Sequence, residues 1–259
     1  MPPDDLSPAD RASRLIDGHR TTSGRRRLTT TVIVVIAAAA AVFAATHALR
    51  PDGAPDQGYA VPDNASDDFG FRLTPAIATG TEQAEPAVTV ALYEDFLCPA
   101  CGTFEERSGS FLADAVDDGR IVLEYRPFTF LIGASSNRYA ERAANAAACV
   151  ADSGGVAEYA AFHRKLYAEQ PEEGGDGPDD DRLVAWAAEA GADDVEECIR
   201  DERFDDWLAA ALVEGRDRGV SETPAVSVNG SLVEVVGPEG GTTIPGPDDL
   251  ERAISSVEP

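Results

Sequence analysis

Basic residues are scarce in this chain, and lysine is almost absent. Lys165 is the only lysine among 259 residues, and 21 basic residues stand against 47 acidic ones, a formal net charge of −26. A chain this acidic repels phosphate backbones, so we exclude nucleic acid as a partner. Hydrophobic residues make up 43% of the chain, which excludes a wholly disordered protein. The length suits one large or two small domains with a buried core.

Cysteine is scarce too, with four residues in the chain. Four are too few to build a fold that depends on disulfides throughout. They suit one reactive pair and one structural crosslink, provided that the compartment is oxidising. The first fifty residues indicate the compartment.

An uncharged segment follows an arginine-rich N-terminus. Residues 1–27 carry six arginines against four aspartates, and the 22 residues from Leu28 to Leu49 carry no formal charge. That segment can span a bilayer, whereas its strictly apolar part, Val32–Ala45, has the length of a signal-peptide core. Cleavage after Ala48 would remove a leader longer than the usual ~15–30 residues. We therefore favour a retained transmembrane anchor at 28–49 and keep a cleaved leader as the alternative.

The position of the arginines predicts the orientation. Because they precede the uncharged segment, residues 1–27 are expected to stay in the cytoplasm and the remainder to be extracytoplasmic, as in a single-pass protein of the cell membrane. Proline, glycine and aspartate interrupt the next stretch repeatedly, so we predict a flexible linker at 50–85. Phe69–Leu73 is a candidate short edge strand within it.

The folded part is predicted to begin near Pro86 with an α/β pattern. Val88–Tyr93 is a short apolar, β-branched run, typical of a strand buried on both faces. A helix is predicted after it, to about Ala115, and a second strand over Ile121–Tyr125. A strand, a helix and a strand in this order predict parallel pairing.

The middle of the chain is alanine-rich, and apolar residues recur there at helical spacing from Asn137 to Arg218. Two further strands, Ala225–Val228 and Leu232–Val236, flank Asn229-Gly230, a strong hairpin signal. A last helix is predicted over Asp248–Ser256. The sequence thus predicts one α/β domain in two parts with a helical domain inserted between them: 86–133, 134–210 and 211–259.

Cys98-Pro99-Ala100-Cys101 lies at the predicted strand-to-helix junction. With Cys98 at the N-cap, Pro99 takes the first helical position, where its missing N–H costs nothing. The Cys98 sulfur then faces free backbone N–H groups and the positive end of the helix dipole, which favour thiolate over thiol. We expect Cys98 to be the exposed attacking thiolate and Cys101 the more buried resolving thiol.

A zinc site is the main rival explanation for this motif. It needs a second close pair of ligands, and Cys149 and Cys198 are 49 residues apart. We therefore favour redox chemistry and predict neither a bound metal nor another cofactor.

Thr223-Pro224 precedes the predicted strand Ala225–Val228. Proline at a strand start is usually a turn device, and about 5% of such bonds are cis. Here the hairpin must lie beside the first strand if the sheet is to close. A cis Pro224 would face the Cys98 sulfur, and Thr223 could offer its backbone to an extended substrate chain.

These residues together resemble the thioredoxin superfamily, and more narrowly its DsbA-type branch with an inserted helical domain, in the membrane-anchored actinobacterial form. The marks are the segment from Tyr93 to Cys101, the alanine-rich helix that ends in Cys149, and the Thr223-Pro224 pair. The resemblance implies a thioredoxin fold that exchanges disulfides with exported proteins. It also implies a nucleophile at Cys98, a resolving thiol at Cys101 and a cis proline at Pro224.

Two positions depart from the family pattern. Thioredoxin-like proteins often carry a buried carboxylate six residues before the first cysteine, but Leu92 occupies that position here. Glu94, Asp95 or water would have to relay protons to Cys101 instead. Ala100 replaces the histidine that better-studied DsbA-type oxidases place inside the motif, which predicts a less stabilised thiolate.

The remaining cysteines and the histidine of the helical region have simpler interpretations. Cys149 and Cys198 are expected to form a structural disulfide in an exported protein, with a second redox couple as the alternative. His163 falls on the apolar side of its helix and is expected to be a packed residue without a catalytic partner. Trp186 and Trp207 are expected to anchor the core.

The leading hypothesis is a thiol oxidase that donates its Cys98–Cys101 disulfide to exported client proteins during oxidative folding. The resemblance implies a membrane oxidase of the DsbB or VKOR type that would reoxidise it. A reductase or isomerase is the alternative, and a binding module with purely structural cysteines is a third. A reduction potential near or below about −270 mV would indicate a reductase.

Overall fold

A computed structural model of the chain describes residues 58–82, 84, 86–237 and 239–257. The predicted cytoplasmic tail and transmembrane anchor lie outside these residues. Within them, none of the helices has the length and apolar character needed to cross a membrane.

The described residues form seven strands and nine α-helices. The strands are β1 (Phe71–Leu73), β2 (Thr89–Glu94), β3 (Val122–Pro127), β4 (Ala225–Val228), β5 (Ser231–Leu232), β6 (Val235–Val236) and β7 (Thr242–Thr243). The helices are α1 (Pro75–Thr79), α2 (Pro99–Phe104), α3 (Ser110–Asp117), α4 (Tyr139–Ser153), α5 (Val156–Ala168), α6 (Asp180–Glu189), α7 (Glu196–Arg200), α8 (Asp205–Asp217) and α9 (Pro247–Ser255). A π-helical turn, Glu105–Gly109, joins α2 to α3.

A mixed five-stranded sheet in the order β1-β3-β2-β4-β5 forms the centre of the fold. Strand β2 pairs parallel with β3 and antiparallel with β4, so that Val90 lies opposite both Leu123 and Val228. Both faces of β2 are buried, which explains its continuous apolar sequence. The predicted strand and its parallel pairing are confirmed, and the architecture is an α/β fold with additional helices, as predicted.

Helices α4 to α7 form the helical region, in which α4 is central and contacts α5, α6, α7 and α8. Most residues of α4 are buried, and alanine, whose small side chain allows close helix packing, recurs along it from Ala140 to Ala151. Helix α8 continues past residue 210, where the sequence placed the end of the insert. Its Leu212 packs with Ala91 and Tyr93 on one face of the sheet.

The hairpin after Pro224 is shorter than predicted. Asn229 and Gly230 both have positive φ angles, 46° and 81°, as the two central residues of a tight hairpin turn require. The predicted strand Leu232–Val236 is wrong as one element: β5 ends at Leu232, and Val235–Val236 instead pairs with β7 in a separate two-stranded sheet.

The predicted flexible linker also differs from the structure, since residues 58–82 of it are folded. The candidate edge strand Phe69–Leu73 is confirmed as β1, which pairs antiparallel with β3 at one edge of the sheet and buries Phe71 fully. Ser66 donates a hydrogen bond to Glu124 at 2.6 Å, and the Asn64 amide donates to the Ala151 carbonyl at 2.8 Å. Proline and glycine limit regular structure here to β1 and α1, and single side chains supply further contacts.

Candidate active site

Cys98 lies just after β2, at the start of the helix that follows. It is the N-cap of α2, with an extended backbone (φ −71°, ψ 116°), and Pro99 holds the first helical position. The Cys98 N–H donates to the Asp95 carbonyl at 3.0 Å, and the Cys98 carbonyl accepts from the N–H of Cys101 at 3.0 Å. The predicted strand-to-helix junction is present, with both cysteines on its first turn.

Both cysteines of the motif are free thiols and both are buried. Cys98 is 6% exposed and Cys101 2% exposed, so the expectation of an exposed Cys98 was wrong. Its sulfur lies 3.5 Å from the Thr223 carbonyl oxygen, to which the thiol donates. The loop before β4 therefore covers this sulfur, which a local motif cannot show.

The two thiols have opposite pKa shifts. The pKa of Cys98 is lowered to about 6. Hydrogen bonding from the Cys101 side chain is the largest cause, contacts with Thr223 and with the backbone of Cys101 and Ala100 also lower the pKa, and burial opposes them. Burial raises the pKa of Cys101 well above its ordinary value. The backbone N–H groups thus lower the pKa of Cys98 as expected, but the neighbouring thiol contributes more.

The bond between Thr223 and Pro224 is cis, and the Thr223 carbonyl contacts the Cys98 sulfur. Strand pairing explains the position: Ala225 lies opposite Tyr93, so the two residues before β4 lie beyond the end of β2, toward the motif. The Thr223 side chain is 7% exposed, and its Oγ1 atom has no hydrogen-bond partner among the described residues.

Asp95 is the buried carboxylate in electrostatic contact with the motif. Its two oxygens accept hydrogen bonds from the N–H groups of Leu97, at 2.9 Å, and Leu131, at 3.0 Å. Its pKa is raised to about 6, with burial as the largest cause and the negative charge on Cys98 adding to the rise, while these two hydrogen bonds oppose it. Asp95 therefore titrates in the same range as Cys98.

Glu94 is committed to a different cluster. Its Oε2 atom lies 2.7 Å from Nε2 of His163 and accepts from the Tyr167 hydroxyl at 3.2 Å. Burial raises the pKa of Glu94, and the adjacent carboxylate raises the pKa of His163 despite burial. His163 is packed, as predicted, but it has the carboxylate partner that the sequence did not reveal.

Gln170, which the sequence analysis did not single out, holds the segment before α2. Its amide donates to the carbonyls of Phe96, at 3.0 Å, and Cys98, at 2.9 Å. A Cβ atom on Gly102 would lie 2.3 Å from the Gln170 side-chain oxygen, so glycine at that position permits this approach. Gly102 inside the motif helix was the available sequence signal for this contact. Glycine weakens a helix, so its presence in one often has a packing reason.

A groove of about 420 Å³ runs beside Pro224. Its walls come from the segment before β4, from the β5–β6 region and from β7 with the residues after it, and Ala100 of the motif completes it. The lining residues are Ala100, 219–226, 232–234 and 242–245.

Cys149 and Cys198 form a disulfide that joins α4 to α7. Among the described residues, no group of histidine, cysteine and acidic side chains could hold a metal ion. The four cysteines therefore divide in the structure into one crosslink and one pair of free thiols.

Comparison with known proteins places the chain in a family. The family model described as Thioredoxin matches residues 73–244, well over half of the chain. The serine/threonine-protein kinase PknE of Mycobacterium tuberculosis is 28% identical over 148 residues, which are 56% of this chain. The match spans only 24% of the kinase, so the chain corresponds to about a quarter of that relative.

Solved structures match over more of their length. The disulfide bond oxidoreductase DsbG of M. tuberculosis is 31% identical, with a TM-score of 0.57, over 74% of this chain and 97% of that one. DsbA of the same organism is 31% identical (TM-score 0.55; 73% and 98%). The thiol-disulfide oxidoreductase MdbA of Corynebacterium diphtheriae is 25% identical (TM-score 0.56; 68% and 90%).

Proposed function

The chain belongs to the thioredoxin family, and from that premise we propose that it is a DsbA-type thiol-disulfide oxidoreductase that oxidises client proteins. The observation that carries the proposal is the lowered pKa of Cys98, about 6, beside a Cys101 thiol whose pKa is raised. A structural cysteine buried in apolar surroundings would have a raised pKa and be inert.

The thiolate affects the direction of exchange. At pH 7 a thiol with a pKa of about 6 is roughly ten parts ionised to one part protonated, so ionisation favours the reduced protein by about 1.4 kcal/mol, or about 30 mV for this two-electron couple. A stabilised reduced form makes the disulfide a better oxidant. The effect is moderate, which agrees with Ala100 at the position of a charged donor.

The reaction takes two exchanges. A client thiolate attacks the Cys98 sulfur of the Cys98–Cys101 disulfide, that bond breaks, and Cys101 leaves as a thiolate that takes up a proton. A second client thiolate then attacks the client sulfur of the mixed disulfide and releases Cys98 as its stabilised thiolate. The client gains one disulfide, and the motif is left with two reduced sulfurs.

Asp95 is our candidate for the proton transfer to Cys101, in preference to Glu94. Asp95 titrates near pH 6, and its charge is coupled to that of Cys98. Glu94 is instead held by His163 and Tyr167. Thr223 and Pro224 are assigned to client binding beside the sulfur.

We further propose that the enzyme acts outside the cytoplasm on exported clients, anchored by residues 28–49 and reoxidised by a membrane oxidase of the DsbB or VKOR type. Two observations support the location. The Cys149–Cys198 disulfide is a type of crosslink that persists in oxidising compartments. The arginines before Leu28 favour export of the residues beyond the uncharged segment.

The test is a reduction potential combined with a folding assay. The full chain is equilibrated in glutathione buffers of known potential, and the redox state of Cys98–Cys101 is measured by alkylation and mass. The oxidised protein is then added to a reduced client that needs a disulfide to fold. We expect a potential less negative than about −270 mV, the value typical of thioredoxin, and faster client folding than with Cys98→Ala.

Two results would overturn the proposal. A potential at or below that of thioredoxin would indicate a reductase. Equal client folding with the wild type and Cys98→Ala would show that the motif does not donate its disulfide.

A further inference from the structure

Resting on the proposed function, we propose that the groove beside Pro224 selects client segments with a basic residue next to the reacting cysteine. The groove adjoins Cys98, because Ala100 of the motif and Thr223, whose carbonyl contacts the Cys98 sulfur at 3.5 Å, both line it. A segment lying in the groove therefore brings its cysteine to Cys98.

The groove contains a buried polar group that points to a bound chain. Thr223 is 7% exposed, and although its side chain lies close enough to Cys98 to lower the pKa of that thiol, its Oγ1 atom makes no hydrogen bond within the described part of the protein. A buried hydroxyl without a partner costs free energy, and a ligand that supplies the partner recovers it. A peptide backbone carries both a donor and an acceptor at every residue and can meet this need.

The charges of the groove determine which peptide fits. Glu222, next to Thr223, and Glu234, in the β5–β6 region, are both exposed and line the groove. None of the described lining residues is basic. A client residue next to the reacting cysteine thus lies near two carboxylates, and no lining residue carries a compensating positive charge. These carboxylates attract lysine or arginine and repel aspartate or glutamate.

The probes are three dithiol peptides that differ only in the residues beside the first cysteine, which are lysine, serine or glutamate. The oxidised full chain is mixed with each reduced peptide, the reaction is quenched with acid, and the peptide disulfide is measured by mass. A flanking charge also alters the thiol itself. Each rate is therefore divided by the rate of the same peptide with hydroxyethyl disulfide, a small neutral reagent.

The matched variants separate the groove from the general negative charge. Glu222→Gln/Glu234→Gln removes two charges from the groove. Glu196→Gln/Glu197→Gln removes two exposed charges from α7, none of whose residues lines the groove.

In the wild type we expect the lysine peptide to react at least about fivefold faster than the glutamate peptide after normalisation, the size of a few exposed charge pairs. The ratio should fall toward one in the groove variant and remain in the α7 variant, and 0.5 M salt should reduce it. A wild-type ratio near one, or equal losses in both variants, would overturn the proposal. Failure to oxidise even the serine peptide would instead overturn the proposed function.

Discussion

The pKa of Cys98 depends more on one neighbouring side chain than on the helix that it caps. The Cys101 thiol is the largest cause of its lowered value, ahead of Thr223 and the amides of the first turn. Because the folded pKa, about 6, lies below the unfolded value of about 8.5, the thiolate stabilises the reduced fold fully above pH ~8.5. That stability is lost as the pH falls through about 6.

We predict that the alkylation rate of the reduced protein rises with pH and reaches half its maximum near pH 6. Cys101→Ala removes the main donor and should move the midpoint upward. Cys101→Ser keeps a hydroxyl donor and should move it less. The measurement is the rate of iodoacetamide modification of Cys98 across pH 4–10, with Cys98→Ala as the blank. A midpoint near 8.5 in the wild type, or no difference between the alanine and serine variants, would contradict a thiolate held by Cys101.

Cys98 and Cys101 could be predicted from the sequence because they lie three residues apart and share one helical turn. The Thr223-Pro224 pair could be predicted because it directly precedes a strand that must lie beside β2. The Glu94–His163 pair could not be found this way, since its members are 69 residues apart and meet only when α5 packs against the end of β2. The apolar pattern of α5 showed that His163 is buried but not what it contacts.

At the scale of elements, the same distinction holds between local pattern and tertiary contact. β2 and the Asn229-Gly230 turn were predictable from local sequence. A continuous apolar run indicates a buried strand, and an Asn-Gly pair indicates a tight hairpin turn. Apart from β1, the folded segment 58–82 was not predictable, because its order comes from contacts such as that of Ser66 with Glu124. The residues of β6 were assigned to the wrong partner for the same reason, because their pairing depends on where the later strand β7 lies.

The effect of Gly102→Ala on the free energy of unfolding should have opposite signs with and without Gln170. Alanine stabilises a helix interior by up to about 1 kcal/mol relative to glycine. In the wild type, Gly102→Ala displaces the Gln170 side chain, whose two hydrogen bonds are worth about 0.5–1.5 kcal/mol each. We therefore expect Gly102→Ala to destabilise the wild type by about 1 kcal/mol and to stabilise a Gln170→Ala variant.

Urea unfolding of the four proteins in this cycle measures both effects. The coupling between the two positions should be about 1–2 kcal/mol, as for residues in direct contact. If Gly102→Ala is stabilising in both backgrounds, Gln170 does not restrain the segment before α2.

For the whole molecule, the Cys149–Cys198 disulfide connects α4, the central helix of the helical region, to a five-residue helix, α7. A network independent of the crosslink also holds this junction. The Asn145 amide donates to the Ile199 carbonyl at 3.3 Å, and its oxygen accepts from the Phe204 N–H at 2.9 Å. The native arrangement is thus specified by hydrogen bonds as well as by the covalent bond.

Removing the crosslink should therefore lower stability and leave the fold and the redox motif intact. The disulfide closes a loop with a sequence separation of 49, for which the chain-entropy model gives roughly 4 kcal/mol of stabilisation. We expect Cys149→Ala/Cys198→Ala to lose about that much in urea unfolding, with the Cys98–Cys101 potential unchanged. The same loss should occur in a Cys98→Ala/Cys101→Ala background, because distant independent sites are additive. An unchanged stability together with impaired client oxidation would instead identify Cys149–Cys198 as a second redox couple that exchanges electrons with the motif.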